Sequence, residues 1–282
     1  MRKLDKVTIV GVGLIGGSIG LALKQKRLAR QIIGVGHRKV SIDKAVRLKA
    51  VGQGTLDLTS GVKGADIVIL ATPILTMTKI VKKIAPHLKK GCIVTDVGST
   101  KFEVVREVEK ILPRGVNFIG GHPMAGSEKR GAEKARKNLF KGSICILTKT
   151  KSTKAKSLKV VRDLWSAIGA EVVTLSPKAH DRVVSQISHL PHMVIFSMLS
   201  GIDNGSLRFA STGFYDTTRI ASSDAKIWRD IAISNGDEIV KSIFKFKKDL
   251  SVLEKAIKKK ESATLLSIFK GAKRKRHLLT TK

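Results

Sequence analysis

The stretch KVTIVGVGLIGGSIG, residues 6–20, decides the fold of this chain. It begins with a short apolar run, continues with the spacing G-x-G-x-x-G and leads into a helical pattern. In such a unit Gly11 makes the tight turn, Gly13 lets the backbone approach a pyrophosphate, and Gly16 lets the helix pack on the strand. The stretch therefore predicts a dinucleotide site, with a ligand-free glycine turn as the alternative. We assign its contacts to Gly11, Val12, Gly13, Leu14, Ile15 and Gly16.

Further apolar runs extend this unit into a parallel sheet. Residues 31–35 (QIIGV) supply a second strand, and residues 66–71 and 92–97 supply two buried strands. Ligands of such sheets bind at the carboxyl ends of the strands. We therefore predict that the residues following these two buried strands contact the cofactor, namely Thr72, Pro73 and Ser99.

The end of the 92–97 strand also predicts a helix start. Thr100 and Glu103 have the spacing of a capping box, which would assign the cap to Thr100 and leave the Ser99 hydroxyl free for a ligand. The alternative is that Ser99 itself is the cap.

A lone histidine lies in the glycine-bounded stretch GGHPMAGSEKRG, residues 120–131. Gly121 before it permits unusual dihedral angles, and Pro123 after it favours extended geometry, so we expect His122 on a tightly turning loop. A histidine held in this way is well placed to act on a ligand. A loop histidine with only structural hydrogen bonds is the alternative.

The second half of the chain changes character. Strands are expected at 116–119, 143–147 and 171–175, whereas the chain from Ser176-Pro177 onward has helical patterns. The fold class is therefore α/β, with a Rossmann-type dinucleotide-binding domain at 1–176 and an all-helical domain at 177–282. The apolar faces of the segment 183–199 are too rich for one small helical layer, so we expect a homodimer.

Composition restricts the function classes. A formal net charge of +32 raises the alternative of a nucleic-acid binder, but the charge is spread along the chain and only 4% of residues are aromatic, which leaves little for base stacking. We expect no specific nucleic-acid partner and no membrane segment, because no apolar run approaches ~20 residues. Cys92 and Cys145 lie in apolar runs, so we expect free buried thiols and a cytoplasmic protein.

Seven motifs together resemble the prephenate and arogenate dehydrogenase family of tyrosine biosynthesis. They are GVGLIGGS at 11–18, ATP at 71–73, DVGSTK at 96–101, GGHPMAGSE at 120–128, SPKAHD at 176–181, SHLPH at 188–192 and FYDTTRIASSDAKIWRD at 214–230. The resemblance implies NAD or NADP as cofactor. It also implies an oxidative decarboxylation, in which a hydride leaves the carbinol carbon of the ring and the ring carboxylate leaves as carbon dioxide. Other small-acid dehydrogenases of the same two-domain plan are the rival enzyme class.

The resemblance also assigns roles residue by residue. His122 would accept a hydrogen bond from the substrate hydroxyl, Ser99 would align that hydroxyl, and Arg219 would pair with a substrate carboxylate. Further substrate-site positions are His192, Glu128, Asp181 and Trp228, for which structural roles are the alternative. His189 and His192 could be metal ligands, but no third ligand accompanies them at motif spacing, so we predict no metal. The sequence leaves prephenate and arogenate open as substrates.

The segment after the second strand favours NADP over NAD. An NAD-selective fold places an acidic residue about 20 positions past the glycine turn, and this chain has none between Asp5 and Asp43. That place instead reads Gly36-His37-Arg38-Lys39. We predict that His37, Arg38 and Lys39 face the ribose phosphate. Ordinary surface charge in a chain with 54 Lys and Arg is the alternative.

Overall fold

A six-stranded parallel sheet forms the first layer of the computed structural model, which describes residues 3–126 and 131–279. Its strands are β1 Leu4–Val10, β2 Ala29–Val35, β3 Gln53–Thr55, β4 Ile67–Leu70, β5 Ile93–Asp96 and β6 Asn117–Ile119. Their order is β3-β2-β1-β4-β5-β6, so the winding direction reverses between β1 and β4. The carboxyl ends of these two strands therefore open a crevice of the kind in which such folds bind dinucleotides.

Helices cover both faces of this sheet. They are α1 Leu14–Gln25, α2 Lys39–Arg47, α3 Leu58–Val62, α4 Met77–Ile84 and α5 Phe102–Ile111. Along β4, Ile67 and Ile69 belong to one buried cluster and Val68 and Leu70 to another. Because side chains alternate across a strand, two clusters mean that both faces are buried, which explains why β4 is apolar at every position.

A second sheet follows, formed by β7 Gly121–Pro123, β8 Ile144–Thr148 and β9 Glu171–Leu175, with α6 Ala155–Ala167 between its last two strands. β7 pairs antiparallel with β8 and places His122 opposite Ile146. The expectation that His122 lies on a turning loop is therefore wrong, because the histidine is on a strand. Gly121 does not adopt a left-handed φ. A Cβ there would instead lie 2.8 Å from the carbonyl oxygen of Asp96, so the glycine permits a close backbone approach.

The rest of the chain is helical, as the sequence predicts. Its helices are α7 Pro177–Val184, α8 Leu190–Ser200, α9 Thr212–Thr218, α10 Ala225–Ser234, α11 Gly236–Lys258 and α12 Ser262–His277. A π-helical segment, Ser185–His189, joins α7 to α8. α7 begins where expected, because the Ser176 hydroxyl accepts a hydrogen bond from Ala179 N and Pro177 needs no donor in the first turn.

Internal contacts divide the chain into one unit at residues 1–236 and another at 237–282. The first contains both sheets and α7 to α10, and the second contains α12 and nearly all of α11. The boundary after residue 176 stays a prediction. Within the described part of the chain, no helix has the length and apolar character needed to cross a membrane.

Candidate active site

The glycine turn leaves the start of α1 open to an anion. Gly11 adopts a φ of +97°, and a Cβ there would lie 2.3 Å from the carbonyl oxygen of Ala71. A Cβ on Gly13 would meet nothing within 4 Å. Gly13 caps α1 without a side-chain hydrogen bond, and the first turn contains no acidic residue. The helix therefore offers unpaired N–H groups and the positive end of its dipole to a phosphate.

A cavity of about 540 Å³ lies beside this turn. Eight of the residues predicted from the sequence line it, namely Gly13, Leu14, Ile15, Arg38, Thr72, Pro73, Ser99 and His122. The Oγ1 atom of Thr72 is buried and has no hydrogen-bond partner among the described residues. An open glycine, a helix start without a side-chain cap and a buried hydroxyl without a partner in the described part of the chain together fit a dinucleotide.

Other predicted cofactor contacts lie elsewhere. The side chain of Val12 is buried in the core, and a Cβ on Gly16 would lie 2.0 Å from the carbonyl oxygen of Gly11, so both positions serve packing. His37 and Lys39 are exposed and do not line the cavity. Lys39 forms an ion pair with Asp43 at 3.1 Å. Arg38 is thus the cation of this segment that lines the cavity.

A second cavity of about 390 Å³ shares the walls formed by Ser99 and His122. It is also lined by His192, Arg219 and Trp228. The imidazole of His192 is stacked on the indole of Trp228, with ring centroids 3.6 Å apart, and its Nδ1 contacts the Ser188 carbonyl oxygen at 2.9 Å. These three predicted substrate residues therefore meet in one cavity. Glu128 lies outside the described residues.

A buried ion pair supports the loop that carries Ser99. The Nζ atom of Lys101 lies 2.6 Å from Asp96 Oδ2, and both side chains are fully buried. Lys101 Nζ also donates to the carbonyl oxygens of Gly98 and Thr100. Asp96 accepts further hydrogen bonds from the N–H groups of Gly98 and Gly121. Because buried charges are costly unless fully hydrogen-bonded, this pair fixes the backbone around it.

His122 is the first member of a buried chain of hydrogen-bonded side chains. Its Nδ1 lies 2.8 Å from His180 Nε2, and His180 Nδ1 lies 2.8 Å from Asp181 Oδ1. His180 is 0% exposed and Asp181 2%. Nδ1 of His122 is thus engaged, whereas no described residue hydrogen-bonds its Nε2, the ring nitrogen left for a ligand.

The position of Asp181 corrects an expectation. The resemblance makes Asp181 a substrate-site residue, but its two carboxylate oxygens accept hydrogen bonds from the N–H groups of Lys101 and Phe102, each at 2.8 Å. Asp181 therefore caps α5 from a different element. The capping box expected at Thr100 is wrong for the same reason, and the Thr100 hydroxyl lies 2.9 Å from Ser234 Oγ. Ser99 makes no side-chain hydrogen bond with a described residue and lines both cavities.

Burial keeps the histidines of the site neutral. Desolvation lowers the pKa of His122 well below 6.5, and the neighbouring His180, Lys101 and His189 lower it further. Burial also lowers the pKa of His180, although its hydrogen bond to Asp181 opposes the change. The pKa of His189 is lowered to about 4, mainly by burial. A neutral imidazole at His122 can accept a hydrogen bond across the physiological pH range.

Several residues of the site had no assigned role from sequence. His180, Asp96 and Lys101 are parts of quoted motifs, but their positions within SPKAHD and DVGSTK do not reveal which side chains meet. Only the fold brings residues 96, 122 and 180 together. Within residues 3–126 and 131–279, no group of three or more His, Cys, Asp or Glu side chains is arranged to hold a metal.

Comparison with known proteins places this site in a family. Residues 19–174 match the family model described as prephenate dehydrogenase, nucleotide-binding domain, and residues 176–271 match the one described as prephenate dehydrogenase, dimerization domain. The prephenate dehydrogenase of Bacillus subtilis (strain 168) is 35% identical over 95% of this chain and 74% of its own length.

Solved structures agree over nearly the full length. A crystal structure of prephenate dehydrogenase from A. aeolicus, in complex with hydroxyphenyl propionate and NAD+, has a TM-score of 0.92 and 37% identity, with 98% of each chain covered. A Synechocystis arogenate dehydrogenase has a TM-score of 0.85 and 30% identity, covering 97% of this chain and 99% of its own. Both domains of the family match in order along the chain, and curated and solved relatives match over nearly its full length. This chain therefore belongs to the prephenate dehydrogenase family.

Proposed function

We propose that this chain oxidatively decarboxylates prephenate to 4-hydroxyphenylpyruvate with a nicotinamide cofactor. The observation that carries the proposal is the position of His122 on the wall between two cavities. One cavity has the features of a dinucleotide site, and the other contains the basic side chain of Arg219. A residue on the shared wall can act where two ligands meet.

A bound nicotinamide would supply the acceptor for the hydride that leaves the carbinol carbon of the substrate ring. The N–H groups at the start of α1 would hold the pyrophosphate, and the Thr72 hydroxyl, which has no hydrogen-bond partner in the described ranges, would offer a further polar contact. Buried apolar walls from Ile74 and Ile231 limit the access of water to this cavity. The polar contacts and the apolar walls would both favour binding of the cofactor and its orientation toward the substrate.

His122 Nε2 accepts a hydrogen bond from the substrate hydroxyl, and Ser99 holds that hydroxyl in line. As the hydride leaves, positive charge develops on the carbinol group, and the neutral imidazole stabilises it. The bond between the ring and its carboxylate then breaks, carbon dioxide leaves, and the electron pair enters the ring. The shared proton remains with the phenol of the product, so the step requires no external acid or base.

Arg219 pairs with a substrate carboxylate, because a guanidinium matches the two oxygens of that group. His192 and Trp228 form a stacked wall beside it. Burial lowers the pKa of His192, and the positive charge of Arg219 lowers it further, so His192 is neutral and contributes shape and hydrogen bonding. Asp181 is assigned to support of the site and not to substrate contact.

The cofactor preference proposed for this chain is NADP over NAD. Support comes from Arg38 on the wall of the cofactor cavity and from the absence of an acidic residue between Asp5 and Asp43 in the sequence. An Arg near this position accommodates a 2′-phosphate, whereas an acid would repel it. Lys39 contributes less, because it does not line the cavity and forms a surface ion pair with Asp43.

The homodimer forms through the region that matches the dimerization domain, residues 176–271. The same match supports a functional boundary close to Pro177. Ile187 is 64% exposed and Tyr215 62%, which leaves apolar area in this region for a second copy. Cys92 and Cys145 are unpaired and buried, which fits the cytoplasmic location that we propose.

Steady-state kinetics with purified protein test the function. Prephenate and arogenate are each combined with NAD and with NADP, and nicotinamide reduction is followed. We expect turnover with prephenate to exceed turnover with arogenate. Arg219→Ala should raise KM for prephenate at least about tenfold and change kcat little, because the carboxylate contact exists in both ground and transition states. Arg208→Ala, at an exposed arginine over the Phe209 ring, is the matched control. No turnover of either substrate would contradict the proposal.

A further inference from the structure

We propose that His180 is a positioning residue that fixes the tautomer of His122, so that Nε2 of His122 carries its lone pair toward the substrate. The proposal rests on the proposed function of His122 as acceptor for the substrate hydroxyl. The structural basis is the buried chain His122–His180–Asp181, in which both links are 2.8 Å long.

The Asp181 carboxylate at the end of the chain determines which atom donates in each hydrogen bond. Asp181 is a carboxylate whose oxygens also accept from the backbone N–H groups of Lys101 and Phe102, so it acts as an acceptor on every side. His180 Nδ1 must therefore carry a hydrogen. A neutral His180 then has a lone pair on Nε2 and must accept the hydrogen of His122 Nδ1. A neutral His122 with hydrogen on Nδ1 has none on Nε2.

The groups around the two rings favour neutral imidazoles. Burial is the largest cause that lowers the pKa of both His122 and His180, and the nearby Lys101 ammonium lowers both further. The carboxylates of Asp181 and Asp96 act in the opposite direction and raise the pKa of His180. Burial has the larger effect, so the pKa of His180 stays below its ordinary value. His189 also approaches His122, and its own pKa of about 4 keeps it uncharged.

His189 has a separate partner and does not compete for His122. The amide nitrogen of Asn235 lies 3.1 Å from His189 Nδ1 and donates to the Asp181 carbonyl oxygen at 3.0 Å. Asn235 therefore orients His189. Among the described residues, His180 is the one side chain that hydrogen-bonds His122.

The same chain has a second effect during the reaction. Positive charge that reaches His122 is shared with His180 through the short Nδ1 to Nε2 contact and is stabilised by the Asp181 carboxylate. Asp181 also holds the N–H groups of Lys101 and Phe102, which follow Ser99 by two and three residues. One carboxylate thus orients the imidazole chain and the loop that carries Ser99.

Two variants separate positioning from folding. His180→Leu removes the acceptor at similar volume, whereas His180→Gln keeps an amide oxygen near the place of Nε2. We expect His180→Leu to lower kcat by roughly a hundredfold, because a correctly positioned acid-base group contributes to the rate on this scale. The KM values for prephenate and cofactor should change little. His180→Gln should recover at least about tenfold of that loss. His87→Leu, at an exposed histidine remote from the site, is the matched control.

The tautomer is measured directly by NMR on the full-length protein labelled with [15N]histidine, with His122 assigned by the His122→Asn variant. We expect hydrogen on Nδ1 and none on Nε2 in the wild type. The wild-type spectrum remains decisive even if His180→Leu fails to fold. Hydrogen on Nε2 of wild-type His122, or wild-type kcat in a folded His180→Leu protein, would overturn the proposal. Loss of activity in His122→Asn together with normal kcat in His180→Leu would reject the positioning role and leave the proposed function intact.

Discussion

The backbone N–H of Gly121 donates a hydrogen bond to Asp96 Oδ1 at 3.0 Å, which ties the strand carrying His122 to the end of β5. The other oxygen of Asp96 binds Lys101 Nζ at 2.6 Å. One carboxylate therefore joins His122 to the loop of Ser99. The two groups that we propose to act on the same substrate hydroxyl are therefore supported by a single buried ion pair.

This pair predicts a specific stability result. Asp96→Ala should lower the free energy of unfolding by roughly 3–5 kcal/mol, because it leaves the Lys101 ammonium buried without a counter-ion. The double change Asp96→Asn with Lys101→Met removes both charges and should cost less than Asp96→Ala. Urea denaturation of the three proteins checks the order. Equal stability of Asp96→Ala and wild type would contradict the assignment.

The buried histidines predict acid sensitivity of folding. A histidine whose pKa is lower in the folded state binds fewer protons there than in the unfolded chain, so stability falls as pH drops below the unfolded value of about 6.5. The pKa of His189 is lowered to about 4. Because one pKa unit corresponds to about 1.4 kcal/mol, protonation of His189 at pH 4 should lower the free energy of unfolding by about 3 kcal/mol. Urea denaturation at several pH values from 7 to 4 measures it. His189→Asn should reduce the slope, and an unchanged slope would exclude this cause.

The sequence predicts the nucleotide-binding half well, because its signals are local. The glycine spacing from Gly11 to Gly16 and the apolar strand before it fix a strand, a turn and a helix within 20 residues, and the structure confirms that fold. By contrast, Asp181 lies about 80 positions from the N–H groups that it caps. No local pattern distinguishes a carboxylate that caps a distant helix from one that faces a substrate.

The position of His122 shows a second limit. Glycine and proline around it indicate a turn, yet Gly121 is required for a close approach to the Asp96 carbonyl oxygen and Pro123 lies in a short strand. Glycine occurs in turns and at close backbone approaches, and proline occurs in turns and in short strands. Only the packing of β7 on β5 determines which of these structures forms at Gly121 and Pro123. An unperturbed histidine has a pKa of about 6.5, and the burial that lowers the pKa of His122 well below that value also comes from this packing.

Cofactor preference can be tested at Arg38. Arg38→Ala should raise KM for NADP at least about tenfold and leave KM for NAD nearly unchanged, because only NADP carries the 2′-phosphate. Lys39→Ala is the matched control, since its ammonium is already paired with Asp43. A wild-type kcat/KM for NAD tenfold above that for NADP would show that some other group recognises the ribose.

Self-association can be tested at Ile187. Sedimentation at micromolar concentration should give a dimer for the wild type. Ile187→Glu should shift the distribution toward monomer, because it places a charge on an apolar side chain that is 64% exposed within the dimerization domain match. Val40→Glu, at a residue that is 76% exposed on α2, controls for added charge. A monomeric wild type would contradict the dimer.

The central claim is that neutral His122 accepts a hydrogen bond from the substrate hydroxyl. The turnover of His122→Asn and of the wild type, measured from pH 6 to 8, tests this claim most directly. We expect kcat to fall by roughly a hundredfold or more, with cofactor affinity nearly unchanged, because a positioned acid-base group contributes on this scale. The wild-type rate should not change through pH 6.5, since burial lowers the pKa of His122 well below that value. Wild-type turnover in His122→Asn would contradict the account.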